Sequence, residues 1–168
     1  MEWKQIETFL SSGQAFVPVY QENVGDSVQV LFKDGSSELL EMRCESFLNK
    51  LLYYFGTSLA ANRDRFGKLV GKKQLVPVVL SYGTILIPFH VRKPIGHQTP
   101  VGWVIAKEVQ GFDPETKNET TVYLSKHEMK ALHTEKFCKE QLKNARYLEL
   151  CYGEIHEPYR KSWVFSAG

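Results

Sequence analysis

The hydrophobic period of this chain changes twice, and the two changes constrain its fold more than any other feature. In "DSVQVLFKDGSSELLEM" Val28, Val30 and Phe32 alternate, Asp34-Gly35 supplies a turn, and the chain returns through Leu39 and Met42. Period two around an Asp-Gly turn predicts a hairpin. At Cys44 the period becomes helical: Phe47, Leu48, Leu51, Leu52 and Phe55 share one face, and Gly56 is suited to ending that helix. Thr57 or Ser58 caps a second helix, "LAANRDRF", which Gly67 is expected to end. At Leu75 the alternation returns in "LVPVVLS" (75–81) and "TILIPF" (84–89), joined at Tyr82-Gly83.

The remaining segments follow the same rules. "QAFVPVY" (14–20) is rich in strand formers, and "PIGHQTP" (94–100) is a Pro/Gly loop. "GWVIAKEVQGF" and "ETTVYL" predict an antiparallel pair about the polar turn 113–118. Ser125 and Glu128 have capping-box spacing, with Leu124 and Met129 placed as a hydrophobic staple, so a helix is expected to start there. Its character weakens at His133-Thr134 and resumes in "EKFCKEQLKNAR"; "YLELCY" (147–152) reads as a last strand. Runs of strands alternate with runs of helices rather than in β-α-β units. The expectation is an α+β fold, an antiparallel sheet with two short helices after the N-terminal strands and a helix or helix pair near the C-terminus. A length of 168 residues fits a single domain, 1–168, with 152–168 as a tail.

Several chemistries lack their residues. The chain has neither G-x-x-x-x-G-K-[ST] nor G-x-G-x-x-G. His127 and His133 lie six apart, where ligands on one helical face need three or four, so neither metal nor cofactor is expected. Glu108 and Asp113 are not marked as an acid/base pair, and a lone Cys138 reads as a small hydrophobe, so we expect no enzyme. Cys44, Cys138 and Cys151 are widely spaced, and "MEWKQIETFL" lacks the basic and apolar regions of a secretory signal. The expectation is reduced thiols in a cytoplasmic protein with no membrane span.

One stretch stands out electrically. Net charge is only +2, yet Arg63, Arg65, Lys68, Lys72 and Lys73 fall within eleven positions, opposed only by Asp64. Cations at a helix C-terminus complement its dipole, which accounts for one or two of them. The rest, with Asn62 and the following His90, Arg92 and Lys93, fit contacts to phosphates or to a narrow DNA groove.

Three motifs then fall in series: Tyr54-Phe55-Gly56-Thr57-Ser58 with Arg63, Ile85-Leu86-Ile87-Pro88-Phe89, and Pro100-Val101-Gly102-Trp103-Val104. Over about residues 40–145 the chain resembles the bacterial competence transcription factor ComK family. The resemblance implies a DNA-binding transcriptional activator that recognises paired AT-rich boxes, mainly through the minor groove. It implies dimers or higher oligomers on double-stranded DNA, a nucleoid location, and partnership with RNA polymerase. In some members an adaptor delivers the protein to a protease through a Phe-Met-Leu-Tyr-Pro type segment, for which "YLELCY" is only a loose counterpart. The expected DNA-binding residues are Asn62, Arg63, Arg65, Lys68, Lys72, Lys73, Arg92 and Lys93. The family's Gly-Arg pair is Asn62-Arg63 here, and with Asp64 amid the arginines this favours the alternative, a regulatory or protein-interaction module without DNA binding.

Overall fold

A computed structural model describes residues 3–94, 96 and 98–156. The chain is α+β. Helix α1 (Lys4–Ser12) runs directly into β1 (Gly13–Gln21), followed by β2 (Gly25–Phe32), β3 (Ser37–Leu40), α2 (Cys44–Tyr54) and α3 (Leu59–Val70). Next come β4 (Val78–Ser81), β5 (Thr84–His90) and β6 (Val101–Ile105), then a 3-10 turn (Ala106–Glu108), β7 (Val109–Thr116), β8 (Glu119–Leu124), β9 (Glu128–Ala131) and α4 (Glu135–His156).

Six strands form one antiparallel sheet in the order β3-β2-β1-β6-β5-β4, and β7-β8-β9 form a second. The large sheet is two three-stranded meanders meeting at a narrow seam: β1 and β6 pair only through Ala15 with Val104 and Phe16 with Trp103. Strand alternation gives it two buried faces. Phe16, Val28, Val30, Phe32, Leu86 and Trp103 pack with Ile6 and Phe9 of α1 and with Phe47, Leu48, Leu51 and Leu52 of α2. Phe9, Phe16 and Phe47 meet edge to face, with centroids 4.8–5.6 Å apart. On the other face Val79, Ile85, Ile87, Phe89 and Val104 pack against Val122, Met129 and Ala131 of the small sheet and Cys138, Ala145 and Leu148 of α4.

The period switch at Cys44 coincides with the start of α2, and the one at Leu75 falls in the loop between α3 and β4. Ser58 is the cap of α3, its hydroxyl accepting from the Ala61 N–H at 3.1 Å. Trp103 is 5% exposed, and no helix among the described residues is long and apolar enough to cross a membrane.

Five local expectations fail for physical reasons. First, 125–128 is a turn, not a helix start: Leu124 N–H donates to His127 O, Gln14 donates to the Ser125 hydroxyl, and β9 continues with Met129 and Ala131 inward. Leu124 and Met129 do share a cluster, as parts of a hairpin. Second, 147–152 is helix. Leu148 is fully buried while Leu150 is 69% exposed, which a strand with both on one face would not permit. Third, the strand expected over "GWVIAKEVQGF" is broken by the 3-10 turn, which carries the chain from one sheet to the other. Fourth, α3 passes through Gly67 and ends at Gly71. Fifth, the strand expected over 75–81 starts only at Val78, after Leu75 takes a positive φ of 50°. Helix α1 was not anticipated; Ile6, Phe9 and Leu10 supply its buried stripe. The expected tail from 152 begins inside α4, and 157–168 lie outside the described residues.

Candidate nucleic-acid interface

The basic stretch is built on the end of α3. Gly71 adopts φ 67°, the left-handed turn that glycine enters most easily. Lys72 N–H donates to Gly67 O at 2.9 Å, and Gly71 N–H to Lys68 O at 3.4 Å. This is the Schellman arrangement, and it satisfies the Gly67 and Lys68 carbonyls internally. The returning chain passes so close that a β-carbon on Gly67 would lie 2.7 Å from Lys72 O. A larger residue there would push Lys72 and Lys73 away from the helix.

The turn closes one side of a hollow of about 570 Å3, bordered by Arg63, Lys68, Lys72 and Lys73, with Gly67 and Gly71 between them. Asp64 is on the same rim, 4.0 Å from the Lys68 ammonium. Both side chains are more than 80% exposed, so the pair is screened by water and holds Lys68 weakly.

Lys72 differs from its neighbours. Its ammonium donates to Gln141 Oε1 at 2.9 Å and sits 4.5 Å from the centre of the Phe137 ring. Burial lowers its pKa below the ordinary lysine value, opposed by the nearby Glu140. Gln141 is fully buried, and its amide donates to Leu75 O at 2.9 Å and Pro88 O at 3.0 Å. One side chain of α4 therefore ties together the loop after α3, strand β5 and Lys72. Lys72 braces the hollow from inside.

Next to Phe137 lies a ring stack. His133 is 4.1 Å from Phe137 and 5.1 Å from His90, centre to centre. Its Nε2 accepts from the His90 N–H at 2.9 Å. Burial pushes the His133 imidazole down to about 4, helped by the charges of His90 and Lys72. The neutral ring is the form that can accept this bond.

Of the eight anticipated residues, the hollow gathers Arg63, Lys68, Lys72 and Lys73. Asn62 is a correction. It is 3% exposed, its Oδ1 accepts from the Val79 N–H at 2.8 Å, and its Nδ2 donates to Thr57 Oγ1 at 3.3 Å. Both ends of the amide are used inside the protein, anchoring α3 to β4, so it is not available to a groove. Arg65 is exposed but lies elsewhere on α3, over the Phe66 ring at 5.2 Å and beside a separate hollow lined by Thr57 and Tyr152. Arg92 and Lys93 follow β5 and do not border the hollow; the Arg92 charge acts instead on Cys44 at the start of α2.

A second basic set went unnoticed. Lys136, Lys139, Lys143 and Arg146 project from α4. Their offsets of three, seven and ten from Lys136 place them along one stripe. The spacing was readable within "EKFCKEQLKNAR".

Among the described residues no group of three or more His, Cys, Asp or Glu side chains could hold a metal ion. Cys44 and Cys138 are buried thiols, the latter pushed up to about 11 by burial, and Cys151 is half-buried. No protein-family model, curated protein or solved structure matches this chain.

Proposed function

We propose that the chain is a DNA-binding transcriptional activator that reads AT-rich boxes, mainly from the minor groove, and acts in the cytoplasm at the nucleoid. The observation that carries this reading is the set of cations gathered around one hollow at a helix end where the Gly67 and Lys68 carbonyls are already satisfied by the backbone. A helix dipole accounts for one or two cations there; three exposed ones on one rim exceed that and fit an anion. Arg63 is the groove contact, because a planar, weakly hydrated guanidinium tolerates a narrow A-tract groove. Lys68 and Lys73 take phosphates, and Lys72 holds the rim in place. With a net charge of +2, affinity per protomer is modest, so binding draws on two or more protomers at neighbouring boxes. RNA polymerase is then the downstream partner, and delivery to a protease by an adaptor has weaker support.

The second reading is a regulatory module that binds protein and not DNA. It is favoured by Asp64 on the rim beside Lys68, and by the loss of Asn62 to the interior. The experiment is binding to AT-rich and GC-rich duplexes across a salt series. Lys68→Ala and Lys73→Ala should each lower the salt slope by about one unit and weaken both duplexes alike. Arg63→Ala should erode the preference for AT-rich duplex. Parent protein that binds neither duplex hands the site to the second reading.

A further inference from the structure

The geometry points to a second nucleic-acid contact surface on the same molecule: the stripe Lys136, Lys139, Lys143 and Arg146 of α4, with the groove between α4 and β7, takes the phosphate backbone of the bound duplex. The inference rests on the DNA-binding reading and extends its footprint beyond α3.

From 136 to 146 the stripe spans about 15 Å along the helix axis, a little under half a turn of B-DNA. All four side chains are exposed. Lys139 is paired with Glu135 at 2.9 Å; among the described residues no ion pair engages Lys136, Lys143 or Arg146. Lys139, Lys143 and Arg146 form one wall of a groove of about 320 Å3, and residues 109–112 form the other. Lys136, Lys139 and Lys143 continue into an adjoining hollow of about 360 Å3, which Glu135 and Glu140 also line.

Gly111 adds a separate observation. It lies in the groove wall, beside a shift of register between β7 and β8. Its φ is not positive, and a β-carbon there would meet nothing within 4 Å. Neither backbone conformation nor internal packing requires glycine. The bare backbone leaves room for a ligand to come close on an edge strand.

Phosphate suits the groove better than an added peptide strand. β7 has an open edge, but it carries two register shifts and exposes Asp113 and Glu115, devices that discourage strand addition. The surface is also mechanically continuous with α3, because Phe137 and Gln141 of the same helix hold Lys72. A duplex seated on the α3 hollow therefore has a rigid neighbour of the same sign of charge.

The test is duplex binding across a salt series by the parent, by the triple variant Lys139→Gln, Lys143→Gln and Arg146→Gln, and by Gly111→Asp. Circular dichroism and thermal unfolding should match the parent, since the replaced side chains are exposed. The triple variant is expected to lose about two to three units of salt slope and on the order of 10–100-fold in affinity, on AT-rich and GC-rich duplexes alike. Gly111→Asp should weaken binding too. If the parent binds and the triple variant matches it in slope and affinity, the inference is overturned, while the α3 site stands. If the parent binds no duplex at any salt, the inference falls together with the DNA-binding reading.

Discussion

The two faces of the six-stranded sheet are held down in different ways. The α1/α2 face is closed by large apolar rings, Phe9, Phe16, Phe47 and Trp103. A polar tie reaches this side where Gln98 Oε1 accepts from Cys44 N–H, in the first turn of α2. The α3/α4 side has a comparable apolar cluster and is fastened in addition by side-chain hydrogen bonds between separate elements: Asn62 to Val79, Gln141 to Leu75 and Pro88, His133 to His90. Apolar packing depends on total volume and tolerates small shifts of angle. A hydrogen bond fixes direction and loses most of its value when misaligned. The face that carries the basic hollow is the one on which these directional bonds, including that of Lys72 to Gln141, are found.

Trp103→Ala tests the first half of this contrast. It should cost about 3–5 kcal/mol, measured by denaturant unfolding, because the ring is 5% exposed at the seam. An unchanged midpoint would mean that the ring does not anchor this face. Gln141→Leu tests the second half. It preserves bulk and removes the ties to two backbone carbonyls and to Lys72, at about 1–3 kcal/mol. Its particular signature is faster amide exchange near 72–76 with the α1/α2 face unaffected; a uniform loss of protection would erase the distinction between the faces.

The smallest effect depends on pH. His133 is held neutral, with its folded value near 4 against 6.5 when unfolded. Between those values the unfolded chain binds more protons, so stability should fall as pH drops from 6.5 toward 4 and be insensitive to this group above 6.5. His133→Gln keeps an acceptor and does not titrate. It should flatten that part of the stability profile, and a profile identical to the parent's would assign the slope to other groups.

The same contrast explains what could be read beforehand. The apolar face follows from periodicity: alternation in β2 and the i, i+4 stripe in α2 are local properties that survive in the folded chain. On the polar face the deciding partners are remote. Nothing near Asn62 indicates that Val79, seventeen positions on, will take its amide. Ser125 and Glu128 have the spacing of a helix cap, but the spacing also fits a tight turn, and pairing with β8 decides the matter. Leu148 and Leu150 look alike until α4 lies against β5 and buries one of them. In the basic stretch the charge density was legible. Its division into Arg63, Lys68 and Lys73 on the rim, Lys72 bracing it from within and Arg65 apart required the capped geometry of Gly71.

The seam between β1 and β6 has a consequence for how the chain is made. Strands β1 to β3 and their covering helices are complete at Tyr54, whereas β6 ends at Ile105. Synthesis of the intervening stretch of about 50 residues takes roughly 3–10 s at cellular elongation rates. Throughout that interval β1, the strand destined for the middle of the sheet, has no β6 to pair with, and the apolar cluster below it lacks Val78, Leu80, Leu86, Trp103 and Ile105 for all or part of the time. The strand that joins the two meanders in the finished sheet is thus unpaired on one side until β6 is made, and two residue pairs then make the junction.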